Sequence, residues 1–279
     1  MPVPMHRGPA PIPRTRETFA QSWMWHQHWA HRRDLLRELI ARDMSLRYRG
    51  SALGMAWTLL NPMAELLVLM FIFGEVLPLN IPNYGGFLFI GLLSYSWFSS
   101  GLMFATSAIV NNRELIRRPG MPFRVLPIVS VASTLLHFVL SLPVLFALLV
   151  YNRTPFSGAV LLLPLLIAIQ FLVILSLSYP LAMISVWFRD TQYFLRVALQ
   201  LLFYMTPVFY EASTIPARYQ RWYELNPMVH VLEAYRDVLL RGVLPAFTPL
   251  LALVVVSGAL LLAGLTMFWY TSHLFVDEL

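Results

Sequence analysis

Six long apolar stretches separated by short polar connections leave this chain few ways to fold. They are Leu53–Val76, Phe87–Val110, Val125–Val150, Val160–Trp187, Phe194–Phe209 and Leu250–Tyr270. Most are long enough to cross a hydrocarbon core as helices, which takes about 20 residues. The fifth is the shortest, and Arg196 near its start has to snorkel to the interface. Between the fifth and sixth runs, Tyr210–Thr248 begins polar and turns mildly amphipathic around Val229–Leu240. Irregular backbone at membrane depth survives only under protein or water, so this stretch reads as a re-entrant or interfacial pair of short helices. The expected fold class is all-α: a polytopic membrane protein with six transmembrane helices, an N-terminal amphipathic interfacial helix, and short re-entrant or interfacial helices before the last span.

Composition points the same way. Of 279 residues, 58% are hydrophobic and only 12% charged, about half the charge of a soluble domain. Disorder over most of the chain is excluded as well. With no Cys there is no disulfide framework, thiolate metal site or cysteine nucleophile. All 20 basic residues are Arg. Without a Lys there is no phosphate-binding G-x-x-x-x-G-K loop, so any ATP dependence has to come from a partner.

Residues 1–30 read as a disordered or interfacial tail, 31–52 as a cytoplasmic amphipathic interface helix, and 53–279 as a six-span transmembrane domain. The tail is Pro-rich from Met1 to Ala20 and lacks the apolar region of a signal peptide. Trp23, Trp25 and Trp29 follow it. From Asp34 to about Arg49, Leu35, Leu36, Leu39, Ile40, Met44 and Leu46 share one helical half, opposite Arg37, Glu38, Arg42 and Ser45. Only Asp43 intrudes on the apolar side. A basic amphipathic helix after Trp suits a membrane interface; the plainer reading is a surface helix packed on a core.

Arg placement sets orientation. Nine Arg precede the first span, the first connection has none, and the second holds Arg113, Arg117, Arg118 and Arg124. The third holds only Arg153, and the fourth Arg189 and Arg196. Both termini and the second and fourth connections are thus cytoplasmic. The net charge of +6 reflects topology and attraction to anionic membrane lipids, with no nucleic acid required.

Several residues stand out chemically. Asn111 or Asn112 can cap a short helix in the second connection, with Glu114 in its first turn and Arg117 and Arg118 in its last. Such a helix is either a force-transmitting element or simply a positive-inside loop. Glu65, midway along the first run and just after Pro62, needs a cavity, a partner or a proton. It belongs either to a transport pathway or to a structural bond between spans. His26, His28 and His31 lack the further ligands a metal site needs, so no metal is expected. His137 reads as a polar contact between spans. Trp57, Tyr95, Trp97, Tyr204 and Tyr210 offer ring faces and polar edges suited to sugars, though most aromatics in spans merely pack.

An ordered set of short motifs is more specific than any of these. It comprises Arg47-Tyr48-Arg49, Leu53-Gly54, Trp57, Asn61-Pro62, Asn112, Leu115-Ile116, Arg117-Arg118, Pro122, Leu126-Pro127, Phe188-Arg189-Asp190, Thr206-Pro207-Val208, Ile215-Pro216, Asn226-Pro227, Tyr235-Arg236 and Leu239-Leu240-Arg241-Gly242. Over roughly Arg42 to Tyr270 it resembles the membrane subunits of type-2 ABC exporters that move lipid-linked polysaccharides such as O-antigen, capsule or teichoic acid. Met121-Pro122-Phe123-Arg124 displaces the family's basic residue by one position, and Glu65 stands where the family commonly has an apolar residue.

The resemblance implies a homodimer of six-span permease subunits in the bacterial inner membrane. Each subunit is paired with a cytoplasmic ABC ATPase, two copies in all, which binds the ATP and Mg²⁺, while this chain holds no cofactor and no catalytic residue. It implies coupling through Asn112, Arg113, Glu114, Arg117 and Arg118. Arg47, Tyr48 and Arg49 then stand at a cytoplasmic gate that meets the lipid pyrophosphate. Trp57, Glu65, Tyr95, Trp97, Tyr204 and Tyr210 are the channel candidates. The competing readings are a proton-coupled secondary transporter, for which no internal repeat is found, and a membrane-embedded glycosyl- or acyltransferase, for which no D-x-D, H-E-x-x-H or G-x-S-x-G occurs.

Overall fold

The computed structural model describes residues 34–48, 50–116 and 123–271, and every regular element among them is helical. The Pro-rich tail, the three N-terminal Trp, the His26–His31 motif, Arg49, Arg117, Arg118 and the Pro119–Pro122 run lie outside the described residues. Helix α1 covers residues 34–48. It is followed by α2 (Trp57–Met70), α3 (Tyr84–Ser107), α4 (Arg113–Ile116), α5 (Leu126–Tyr151) and α6 (Leu163–Trp187). Then come α7 (Thr191–Met205), α8 (Ala217–Glu224), α9 (Pro227–Arg236) and α10 (Phe247–Thr271). A 3₁₀ turn, Gly54–Ala56, leads into α2, and a π-helical turn, Phe71–Val76, extends it. Pro127, Pro164 and Pro227 stand in the first turns of α5, α6 and α9, where the missing N–H costs nothing.

Five helices are long and apolar enough to cross a bilayer: Gly54–Val76, Tyr84–Ser107, Phe123–Tyr151, Gly158–Trp187 and Phe247–Thr271. The fifth apolar run of the sequence departs from expectation. Helix α7 has only 15 residues, about 22 Å of axis. It stops because Thr206, forced extended ahead of Pro207, has φ −97° and ψ 137°.

Helix α3 is the axis of the bundle. In its most apolar stretch 72% of residues are buried, against 11% for the α2 span and 17% for α10. Side-chain contacts fix the helix directions. Gln170 donates to the Ser94 carbonyl and Ser185 to that of Thr106, so α3 and α6 run the same way. Gly264 meets Tyr179 while Thr271 reaches Met183, so α10 is parallel to α6. Tyr84 bonds to Phe209 and Tyr95 to Leu199, so the α7 segment opposes α3. At the end of the bundle where α3 begins, Asn152 donates to Asn83 at 2.6 Å and Asn83 to Thr154 at 2.7 Å.

Helix α1 packs its apolar side on the bundle, with Leu39 buried and Leu35, Leu36 and Ile40 half-buried. The intruding Asp43 is answered one turn later by Arg47, at 2.6 Å. The region after α7 divides sharply. Helix α8 buries no residue, whereas α9 buries Met228, Val231, Leu232, Tyr235 and Arg236.

Four polar contacts seat α9 and the extended segment before α8. Asn226 caps α9 at Met228 and donates to Thr206 Oγ1 at 2.8 Å. The Arg236 guanidinium, with no exposed surface, donates to the Val208 carbonyl at 2.9 Å and to Glu233 at 3.2 Å. It lies 3.4 Å from the centroid of the Phe87 ring. Val208 comes this close to α3 because position 91 is Gly: a Cβ there would sit 2.7 Å from the Val208 oxygen. Gly91→Ala should therefore cost about 1–3 kcal/mol, read as a lower midpoint of thermal unfolding in detergent. An unchanged midpoint would mean that Val208 is not seated on α3.

Candidate functional site

Helices α2 and α7 both pack on α3 and leave a cleft of about 830 Å³ between them. Its floor includes Tyr95, Ser96, Ser99 and Met103 of α3. One wall presents Glu65 and Val68 of α2 and Ile72 of the π-helical turn after it, the other Arg196, Gln200 and Tyr204 of α7. The three α7 residues recur every fourth position, so they stand one above another on a single helical face. Glu65, Arg196, Gln200 and Tyr204 are all exposed, and Glu65 sits halfway along the α2 span. Phe73 stacks on Phe209 with centroids 5.2 Å apart, and both rings line the cleft.

Arg196 has a different setting from the one expected of a snorkelling residue, because α7 turns its side chain into the same cleft as Glu65. Neither has an ion-pair partner among the described residues. Sequence reasoning missed Gln200, Ser96 and Ser99 as lining residues. The four-residue spacing of Arg196, Gln200 and Tyr204 in an otherwise apolar run was the signal that marked this face.

A second cavity of about 290 Å³ lies beside the first, with Ser96 lining both. It gathers Tyr48, Trp57, Thr58, Asn61, Trp97 and His137. Tyr48 and His137 share a hydrogen bond of 3.2 Å, which ties the end of α1 to the middle of α5. The partner of His137 is therefore α1 and not a neighbouring span. Burial pushes the Tyr48 hydroxyl above its ordinary range despite the opposing charge of Arg47, so it stays protonated. Trp97 is buried and stacked on Phe138 at 4.8 Å.

The structure thus brings Glu65, Tyr95 and Tyr204 to one cleft and Trp57 and Trp97 to its neighbour. Tyr210 lines neither; its hydroxyl donates to the Tyr204 carbonyl and pairs with Tyr223. Tyr95 is buried, with its hydroxyl donated to the Leu199 carbonyl, so it joins the floor to the α7 wall.

Arg47 is engaged by Asp43 and also lies 3.6 Å from the Phe104 ring centroid. Asn112, expected to cap the helix in front of it, turns back: its amide donates to the Ala108 carbonyl at 2.8 Å and its oxygen accepts from Arg42 at 3.4 Å. It therefore joins α1 to the end of α3. Arg113 and Glu114 occupy the single turn of α4, with Glu114 exposed and Leu115 buried.

Comparison with known proteins gives a family match over most of the chain. Residues 34–240 match the model of the ABC-2 type transporter family. The chain is 41% identical over 239 residues to the O-antigen export system permease protein RfbA of Myxococcus xanthus, covering 85% of this chain and 92% of that protein. An RfbA permease of Klebsiella pneumoniae is 31% identical over 76% of this chain and 82% of its own length. The polysialic acid transport protein KpsM of Escherichia coli is 27% identical over 82% and 90%.

The two cleft tyrosines should separate on mutation. Tyr95→Phe removes the bond that holds α7 to α3 and should cost about 0.5–1.5 kcal/mol. Tyr204→Phe removes an exposed hydroxyl and should stay within about 0.5 kcal/mol of the parent. Chemical or thermal unfolding of the two variants in detergent checks this.

Proposed function

The chain belongs to the ABC-2 type transporter family, and from that membership we propose that it is the permease subunit of an ATP-driven exporter of lipid-linked, O-antigen-like polysaccharide. The observation that carries the reading is a largely apolar cleft between α2 and α7 that holds Glu65 on one wall and Arg196 and Gln200 on the other. An unpaired charge facing hydrocarbon costs several kcal/mol, so Arg196 and an ionised Glu65 face water, cargo or protein. A second copy laid over the α2 and α7 faces would close the open side and make a conduit between subunits. Its polar groups suit sugar hydroxyls, and its rings suit the apolar faces of pyranoses.

Six spans in the bacterial inner membrane fit this reading. Because α6 and α10 run in parallel, the chain between them makes one net crossing. We assign that crossing to α7 and the extended segment after it, with α8 and α9 re-entering from the outer side. Both termini, α1 and α4 then lie in the cytoplasm, in agreement with the Arg distribution. Two copies of a cytoplasmic ABC ATPase, holding ATP and Mg²⁺, act on residues 112–118. Through Asn112, movement of that connection reaches α1 and α3 together. At the cytoplasmic mouth, Arg47, Tyr48 and Arg49 meet the pyrophosphate of the lipid carrier, with Arg47 exchanging Asp43 for phosphate.

Co-expression with the ATPase encoded nearby should yield a complex that co-purifies and hydrolyses ATP. Glu114→Arg should weaken that association and lower surface glycan about tenfold at unchanged permease level. Arg47→Ala combined with Arg49→Ala should leave the complex intact and abolish stimulation of ATPase by lipid-linked glycan. Glycan reaching the surface without any ATPase would refute the assignment.

A further inference from the structure

The cleft carries two formal charges of opposite sign on facing walls, Glu65 on α2 and Arg196 on α7, both exposed and neither in an ion pair among the described residues. Their depths differ. Arg196 is in the second turn of α7, one turn before Leu199, whose carbonyl takes the Tyr95 hydroxyl at mid-α3. Glu65 is one turn beyond Asn61 and Pro62, which sit with Ser96 and Ser100 in the adjacent cavity. Cargo rising from the α1 end therefore passes Arg196 before it passes Glu65.

We propose that Glu65 and Arg196 form a charge filter that favours glycans without net negative charge. This rests on the cleft being the export conduit. An anionic sugar is first held at Arg196 and then opposed by Glu65, and in a conduit of two copies each charge acts twice. Both effects slow a polyanion: Arg196 deepens the well it must leave, and Glu65 raises the step that follows. A neutral chain meets neither, because hydroxyls bond to a carboxylate and a guanidinium alike. Low-dielectric walls strengthen these interactions relative to bulk water.

The absence of cysteine provides a direct test. Gln200, one turn above Arg196 on the same face, is replaced by Cys in the full chain, co-expressed with its ATPase, in inside-out membrane vesicles. The thiol is modified with anionic sulfonatoethyl, cationic trimethylammonioethyl or uncharged methyl methanethiosulfonate. Adding Glu65→Gln should raise the anionic-to-cationic rate ratio about tenfold, and adding Arg196→Gln should lower it by a similar factor. The uncharged reagent should react at one rate throughout, which shows that access and folding are preserved. A ratio that neither substitution moves overturns the filter and leaves the conduit standing. Failure of all three reagents to modify Gln200→Cys overturns the conduit itself, and the filter with it.

Discussion

A guanidinium with no contact with water holds one end of this bundle together. Arg236 binds the carbonyl of Val208, pairs with Glu233 and covers the face of Phe87, so one side chain joins α9, the segment after α7 and the first turn of α3. A hydrogen bond to a charged group contributes about 1.5–3 kcal/mol, and Arg236 makes one to each of Val208 and Glu233. That scale explains why backbone which stops being helical inside the bundle is tolerated. The Val208 carbonyl finds a donor, Thr206 is bonded by Asn226, and Gly91 leaves room for the Val208 backbone. Helix α7 can be short because this lock fills the space a longer helix would occupy.

The same economy shapes the rest of the bundle. Helix α3 is almost wholly enclosed, while α2 and α7 lean on it from either side and leave their outward faces apolar. Lipid can cover those faces but not the polar groups between them. Between them Glu65, Arg196 and Gln200 are set in a lining that is otherwise mostly apolar.

Much of this was legible in the sequence, and the limits have physical causes. Apolar length identified the five long spans because hydrocarbon thickness leaves no alternative. It overstated the run at Phe194–Phe209 because hydropathy does not register Thr206-Pro207 as a stop. Arg196 was read as seeking the interface, since counting charge says nothing about the direction of a side chain on a helix whose neighbours are unknown. Arg236 was invisible as a buried group; a basic residue in a polar connection ordinarily faces water, and its partners lie 28 residues away at Val208 and still farther at Phe87. Asn112 fits the pattern of a cap, yet only the fold shows Arg42 close enough to claim its oxygen.

The π-helical turn at Phe71–Val76 gives α2 a slack link. Such a turn holds one residue more than an α-helical turn, and it closes the helix, since Leu77 leaves the helical region at φ −131° and ψ 70°. Phe73 lies inside the turn and rests on Phe209. A one-residue change of register there shifts Phe73 against Phe209 and leaves the α-helical part of α2, with its buried Leu66, in place.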